Sequence, residues 1–385
     1  MFKNINCKNL PSLRRNIVYQ FLYELLIVFI PLFTIPYVSR VLGAENIGLF
    51  SYTYAVANYF VLFANLGIKN YGSRTIAMVR NNKEELNRNF SEILSIHIIF
   101  SIIVIFVYLV LLFFFVEDNL VIFLIQSIYV FAAVFDINWF FFGIEKFKLT
   151  VGRNTLVKIL SVFLVLVFVK TQTDLWIYAL ILALSVFVGQ SVVWFALKQY
   201  VSWRRPSWAN MKQHIRPLFV LFLPILALSL YKYMDKIMLG SISSNVQVGF
   251  YENAEKIINV PMSLIMAFGV VLMPRIANMV TSKDKGEVFK LIDMSMEAVM
   301  LLAIAISFGL AGISFVLAPI FFGYEFEECG ILIMGLAVTV PFMAFANVIR
   351  TQYLIPYKED KIFVVSLFLG AAVGCKRSCY RNYFC

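Results

Sequence analysis

Six charged side chains interrupt two neighbouring apolar segments in the second half of the chain. They are Lys232, Asp235, Lys236, Glu252, Glu255 and Lys256. Steps of three and four residues place each group of three on one face of a helix, and charges at membrane depth must face a wet cavity or find partners. Under one interpretation, the lysines bind a phosphate-bearing anionic substrate while Asp235 and Glu255 couple to a proton or cation. Under the other, the six charges neutralise one another and order the helical pair.

Other polar residues stand alone among apolar neighbours and form a second set of candidates. Glu24 and Asp136 are acids that could bind a proton or Na⁺, or could hydrogen-bond neighbouring helices. Asn58 and Asn65 lie seven residues apart on one helix face and suit either sugar hydroxyls or interhelical contacts. Arg350 is expected near the membrane surface, where it either binds phosphate or simply extends its guanidinium to water.

Ten apolar segments must position these side chains. Each is about 20 residues long, enough for a helix to cross a hydrocarbon core of about 30 Å. They are predicted at 17–37, 47–66, 93–116, 120–142, 149–169, 175–197, 218–239, 248–273, 296–322 and 331–355. Hydrophobic residues make up 61% of the chain and charged residues 14%, against about 25% charged in soluble domains. The sequence therefore predicts an all-α polytopic membrane protein.

The net charge of +11 is large enough to suggest a nucleic-acid partner, but its distribution argues against one. Most Lys and Arg residues lie before the first segment and in every second loop, whereas the intervening loops carry mainly acids. Basic loops stay in the cytoplasm, so the N-terminus is predicted to be cytoplasmic. The basic excess then reflects topology, and we expect no nucleic acid as a partner.

Short motifs recur between the two halves of the chain. Gly48 and Gly249 each open an apolar segment, and Arg74 and Arg275 each follow that segment, both pairs being 201 residues apart. Six segments lie between equivalent points, so the halves share one orientation, as in transporters built from parallel repeats. We expect a six-helix lobe at 1–197, a cytoplasmic linker at 198–216, an incomplete second lobe at 217–373 and an aberrant tail at 374–385.

The repeat also predicts a twelfth helix where the chain instead carries a basic, Cys-rich tail. The eleventh apolar run, 362–373, has only 12 residues, which is too short to span a bilayer. The second lobe is therefore expected to hold four full helices and part of a fifth, as in a C-terminally truncated reading frame. The alternative is a genuine short tail lying on the membrane surface.

Patterns that would indicate catalysis are not found in the sequence. There is no P-loop, no group of His and Cys with metal-ligand spacing, and no nucleophile–base arrangement on a loop. We predict that the chain is not an enzyme and needs no cofactor or metal, with any driving force coming from an ion or lipid gradient. His97 is expected to be structural, and the sequence reveals no partner for His214.

Two stretches give the chain a family resemblance. Residues 35–43, Ile-Pro-Tyr-Val-Ser-Arg-Val-Leu-Gly, are similar to a signature of the polysaccharide transporters, and so is the region from 228 to 257. Its core, Asp-Lys-x-Met-Leu-Gly at 235–240, is the most specific element. The chain resembles Wzx-type O-antigen and capsular polysaccharide repeat-unit flippases, in the superfamily that also holds the MATE drug exporters and the lipid II flippases.

This resemblance implies two MATE-like lobes around a cavity lined with cationic groups, in the bacterial inner membrane. The implied function is to flip undecaprenyl-diphosphate-linked oligosaccharide repeat units from the cytoplasmic to the periplasmic leaflet for O-antigen, capsule and lipopolysaccharide biosynthesis. Implied partners are the lipid-linked oligosaccharide, membrane lipids, a polysaccharide polymerase and a chain-length regulator. The alternative is a MATE-like ion-coupled multidrug exporter, which an acidic cavity would favour. Family members continue through two more helices where this chain ends.

Overall fold

The computed structural model describes the backbone of residues 10–281 and 285–357 and of six further residues up to 370. Side chains are described from residue 32 onward, except at a few helical positions. The predictions made for the Glu24 side chain and for the tail at 374–385 therefore lie outside the described residues. All regular secondary structure in the described part is helical, and this part contains no strand. Its helices are α1 (Leu10–Asn65), α2 (Ile68–Val79), α3 (Lys83–Phe115), α4 (Leu120–Val134), α5 (Asn138–Gly143), α6 (Phe147–Phe168), α7 (Leu175–Leu197), α8 (Trp208–Ile242), α9 (Asn245–Thr281), α10 (Lys285–Phe322), α11 (Cys329–Ala337) and α12 (Thr339–Val348).

Seven helical stretches among the described residues are long and apolar enough to cross a membrane, or eight if the bent pair Cys329–Ala337 and Thr339–Leu354 forms one span. Many large apolar side chains on these helices are exposed, including Phe113 at 83% and Phe308 at 76%. Apolar surface of that extent is expected where a protein meets lipid. The predicted all-α polytopic membrane fold is confirmed.

The first candidate span, Leu32–Val79, holds the second predicted segment, 47–66. The predicted segment 17–37 lies mostly before it, at residues whose side chains the structure does not describe. Among the described residues, the eighth predicted segment lies in α9, which is not one of the candidate spans.

Several helix starts also differ, since α3 begins at Lys83 and α10 at Lys285, well before the predicted starts at 93 and 296. α8 begins at Trp208, ten residues before the predicted start at Leu218, so much of the basic stretch read as a linker is helical.

A glycine breaks α1 near its middle. Gly43 has φ 77° and ψ 171°, a conformation that costs glycine little because it has no Cβ. Ala44, the first residue after the break, donates its backbone N–H to Glu325 Oε1 at 2.8 Å. Arg40, before the break, donates from Nη2 to the Ile320 carbonyl at 2.6 Å. A carboxylate thus caps a new helix start, where the helix dipole favours negative charge.

The helices form two compact units. Unit 1 comprises Met1–Thr34 and Thr53–Leu226, and unit 2 comprises Ile35–Tyr52 and Ala227–Cys385. In unit 1, α2 packs on α3 and α5, α4 packs on α3 and α7, and α6 packs on α7. In unit 2, α10 packs on α9, α11 and α12. The lobe and linker boundaries inferred from the sequence repeat stay a prediction.

An aromatic core fixes one end of unit 1. The rings of Phe90 and Trp139 are stacked with centroids 5.6 Å apart, and Phe140 packs edge-on against Phe90 at 4.9 Å. Gly72 of α2 lies so close to the indole that an added Cβ would come within 2.6 Å of Trp139. This core holds α2, α3 and α5 together.

Candidate functional site

Four of the six clustered charges form one ion-pair network in unit 2. Lys236 Nζ of α8 lies 2.5 Å from Glu252 Oε2 and 2.8 Å from Glu255 Oε2, both on α9. Lys256 Nζ lies 3.1 Å from Glu252 Oε1, one helical turn away on α9. Two ammonium groups therefore meet two carboxylates, and the network carries no net charge.

The two residues at the centre of this network are the most buried. The Lys236 side chain is 12% exposed and that of Glu252 is 15%, against 27% for Glu255 and 32% for Lys256. A buried ion pair rarely adds much stability over apolar packing, but removing one partner leaves an uncompensated charge. For these four residues the geometry follows the second interpretation of the cluster, in which the charges order the helical pair.

Asp235 and Lys232 lie outside the network. Asp235 is exposed, and its Oδ2 accepts a hydrogen bond of 2.8 Å from the Tyr251 hydroxyl. Lys232 is also exposed, and its Nζ lies 5.4 Å from the ring centroid of Tyr233, close enough for a cation–π contact. Lys232 forms no ion pair with any residue that the structure describes, so its ammonium is the member of the cluster best placed to meet an anion.

The start of α9 is held against the segment of α1 that belongs to the same unit. Asn253 is fully buried and donates from Nδ2 to Ser39 Oγ at 2.9 Å. Gly240, in the specific motif of α8, leaves room for the Tyr52 ring, because an added Cβ would lie 2.3 Å from that ring. These contacts fix the rotation and depth at which α8 and α9 present the cluster.

In unit 1, Asp136 lies at a helix break rather than inside the fourth predicted helix. Because α4 ends at Val134 and α5 begins at Asn138, Asp136 lies just before the new helix, where its Oδ1 accepts from Asn138 N at 3.0 Å and Nδ2 at 2.7 Å. Asn138 also donates to Gln190 Oε1 at 2.8 Å and accepts from Arg153 Nη2 at 3.1 Å. The acid belongs to a polar network that joins α5, α6 and α7. Its role in ion coupling stays a prediction.

The remaining sequence candidates are not brought together with the cluster by any contact found among the described residues. Asn58 Nδ2 donates to the Tyr54 carbonyl at 2.8 Å, and Asn65 Nδ2 donates to the Val61 carbonyl at 2.9 Å, so each amide bonds back to its own helix. Arg350 is half-buried in a π-helical turn at Ile349–Leu354. Such turns are frequent at functional sites.

A buried chain of hydrogen-bonded polar side chains in unit 1 is not apparent from the sequence. His214 Nε2 lies 3.0 Å from Glu92 Oε2, and His214 Nδ1 lies 2.6 Å from the Tyr71 hydroxyl. Asn210 Nδ2 donates to the other oxygen of Glu92 at 3.1 Å. The His214 and Glu92 side chains are only 3% and 2% exposed. An acid and a histidine so deeply buried indicate either a structural anchor or a functional site.

Local spacing in the sequence gives no sign of this chain of hydrogen bonds. Glu92 immediately precedes the apolar run of the third predicted segment, and His214 follows a basic stretch, but 122 residues separate the two. His97 is fully buried, and its structural role stays a prediction.

The described residues offer no group of three or more His, Cys, Asp or Glu side chains arranged to hold a metal ion. The chemistry of the cluster is that of ammonium and carboxylate groups, which can bind anions, protons and monovalent cations.

Solved structures of transporters share this fold. A lipid II flippase, MurJ, in an inward closed conformation superposes with a TM-score of 0.69 at 14% identity, covering 93% of this chain and 79% of that one. An inward-facing multidrug resistance MATE family transporter superposes with a TM-score of 0.64 at 14% identity, covering 91% and 88%. At this identity the similarity establishes the architecture alone.

Sequence comparisons are more specific. A protein of Escherichia coli (strain K12) named "Putative O-antigen transporter" is 26% identical over 362 residues, covering 92% of this chain and 86% of the relative. A protein of the same name from Shigella dysenteriae is 24% identical over 376 residues, covering 94% and 91%. The model of one family, described as polysaccharide biosynthesis protein, matches residues 13–280. The chain therefore belongs to the polysaccharide biosynthesis protein family and has the fold of the MATE-like superfamily.

Proposed function

We propose that this chain is a flippase that moves undecaprenyl-diphosphate-linked oligosaccharide repeat units from the cytoplasmic to the periplasmic leaflet. The observation that carries the proposal is the family match over residues 13–280 in a chain with seven or eight candidate spans. The names of the relatives, which describe O-antigen transport, support the same class of cargo. Transport rather than catalysis is the activity expected.

Within this function, Lys232 is the first contact for the diphosphate. Its ammonium is exposed and has no carboxylate partner among the described residues, whereas Lys236 is buried between two carboxylates. Lys256 is partly exposed, and its described partner Glu252 is shared with Lys236. A diphosphate could compete for Lys256 far more easily than for Lys236, because less desolvated charge would be left unpaired.

The other candidates keep the roles expected from the sequence. Asp235 and Glu255 are proposed as acids that couple transport to a proton or cation, together with Glu24 and Asp136. The amides of Asn58 and Asn65 are proposed to contact sugar hydroxyls, and Arg350 to contact phosphate near the membrane surface.

We place the protein in the bacterial inner membrane with its N-terminus in the cytoplasm, on the basis of the alternating basic loops. Repeat units delivered to the periplasmic leaflet would be used by a polysaccharide polymerase and its chain-length regulator, which are the proposed functional partners.

A clean deletion of the gene, complemented from a plasmid, tests the function. We expect the deletion to abolish surface polysaccharide and to trap lipid-linked repeat units in the cytoplasmic leaflet. Normal surface polysaccharide in the deletion strain would overturn the proposal. If the same strain instead became sensitive to cationic drugs, the exporter alternative would replace it.

A further inference from the structure

A cavity in unit 1 is lined by none of the residues assigned to substrate above. Its volume is about 600 Å³, and it lies between α2, α3 and the first turns of α8. Two arginines, Arg74 of α2 and Arg88 of α3, line it. Both are exposed and form no ion pair with any residue that the structure describes, so their charge is available to a ligand.

Hydrogen bonds hold the polar part of the cavity lining in place. Tyr71 and His214 belong to this lining, and the Tyr71 hydroxyl lies 2.6 Å from His214 Nδ1. With Glu92 as a carboxylate, Nε2 of His214 donates to it, and Nδ1 accepts from the Tyr71 hydroxyl. The chain of bonds ties α2, α3 and α8 together and fixes the mouth of the cavity.

The buried acid Glu92 lies outside the lining of the cavity. Its two oxygens accept hydrogen bonds from His214 Nε2 and Asn210 Nδ2. None of the described residues that line the cavity is acidic. The lining itself therefore carries two guanidinium charges and no carboxylate.

Part of the lining is apolar. Met78, Val220 and Leu221 belong to it, and Met78 and Val220 are themselves 68% and 58% exposed. Guanidinium groups match the geometry of phosphate oxygens through bidentate hydrogen bonds. An apolar surface in the same cavity suits the chain of an amphiphile that carries such a group.

We propose that this cavity is a phosphate-binding site, in which Arg74 and Arg88 hold a phosphate or diphosphate group against the α2–α3–α8 wall. The group can belong to an anionic lipid whose chain lies along Met78 and Val220, or to a water-soluble phosphate. The test of this site needs no transport.

The experiment uses the full chain purified in detergent, with two ligands. Inorganic diphosphate is titrated in by calorimetry, and retained phosphatidylglycerol is counted by native mass spectrometry. The site variant is Arg74→Gln/Arg88→Gln. The matched control is Arg205→Gln/Arg216→Gln, which removes the same charge from two exposed arginines near the start of α8 that do not line the cavity.

We expect the site variant to weaken binding at least about tenfold in one or both arms, since each arginine supplies charge-assisted hydrogen bonds, while the control keeps the affinity of the unchanged chain. Loss confined to the phosphatidylglycerol arm identifies a lipid phosphate, and loss confined to the diphosphate arm identifies a soluble one. Equal affinities of the site and control variants in both arms, or no binding by the unchanged chain, would overturn the proposal. Gel-filtration profiles of the two variants separate a binding defect from misfolding.

Discussion

Gly48 and Gly249 lie directly against each other in unit 2. A Cβ added to Gly48 would lie 2.8 Å from the backbone nitrogen of Gly249, and one added to Gly249 would lie 3.2 Å from the nitrogen of Gly48. Each would also meet a carbonyl oxygen, that of Asn245 at 1.6 Å and that of Ala44 at 2.0 Å respectively. Each glycine therefore closely approaches the backbone of the other, and the two lie 201 residues apart in the sequence. The backbones of α1 and α9 can touch here only because neither residue has a side chain.

Replacing either glycine by alanine should therefore destabilise the fold. A Cβ at Gly48 or Gly249 meets backbone atoms that cannot rotate away, so the helices must separate, at a cost of about 1–3 kcal/mol. Gly309→Ala is the matched control, because nothing lies within 4 Å of its added Cβ. Thermal unfolding of the purified proteins should show a lower midpoint for Gly48→Ala and Gly249→Ala than for the unchanged chain, and an unchanged midpoint for Gly309→Ala. An unchanged midpoint for Gly249→Ala would contradict the close approach.

The ion-pair network predicts an order of stability among its lysines. Lys236→Met removes the charge shared by Glu252 and Glu255 at a site only 12% exposed, so we expect a loss of about 3 kcal/mol. Lys256→Met should cost less, because Lys256 is 32% exposed and Glu252 keeps Lys236. Unfolding measurements on the two single variants test this order, and the reverse order would show that the network is not centred on Lys236.

Coupling across the two helices can be measured separately. The double variant Lys236→Met/Glu252→Leu removes both charges and leaves an apolar pair of similar volume. It should be more stable than the sum of its single variants predicts, because the single variants each leave a buried charge. Additive effects would mean that the two side chains do not share one buried interaction.

The capped break in α1 gives a prediction at Glu325. Glu325→Ala removes the acceptor of the Ala44 N–H and should lower stability by about 1 kcal/mol, as loss of a helix N-cap does. Glu325→Gln keeps an acceptor and should lose less. Glu327→Ala, two residues along and also exposed, is the control. Equal unfolding midpoints for the alanine variants at 325 and 327 would argue against a capping role.

Lys232→Gln should separate transport from folding. The side chain is exposed and has no ion pair with the described residues, so the Lys232→Gln variant should keep the unfolding midpoint of the unchanged chain. Expressed in a deletion strain, the same variant should restore little surface polysaccharide. Lys290→Gln, which removes an exposed lysine from α10, should restore polysaccharide fully. Full restoration by Lys232→Gln would remove this residue from the proposed substrate site.

Sequence periodicity predicted the membrane helices and the face on which the charges of α8 and α9 lie, because both follow from local spacing. It left the partners of those charges open, since the pairing of Lys236 with Glu252 depends on how two helices are rotated and how deep each one sits. The long-range pair of Glu92 and His214 was missed for the same reason. Asp136 was placed inside a helix because its apolar neighbours hide the break after Val134.

The positions at which the helices begin are also poorly predicted from hydropathy. Hydropathy ends a segment where polar residues begin, and it therefore placed the start of the seventh helix at Leu218. Backbone hydrogen bonding continues through polar sequence, so α8 begins at Trp208 and brings His214 onto a helix. That extension is what allows His214 to reach α2 and α3.

The most direct test of the proposed function is leaflet transfer, under an imposed proton or Na⁺ gradient, in vesicles that contain only this chain and an undecaprenyl-diphosphate-linked oligosaccharide. Transfer can be followed by the access of a membrane-impermeant lectin or glycosidase to the sugar. The account predicts transfer by the unchanged chain and by Lys290→Gln, and its loss in Lys232→Gln. Folded protein that leaves the sugar on its original side, or Lys232→Gln transferring at the full rate, would contradict it.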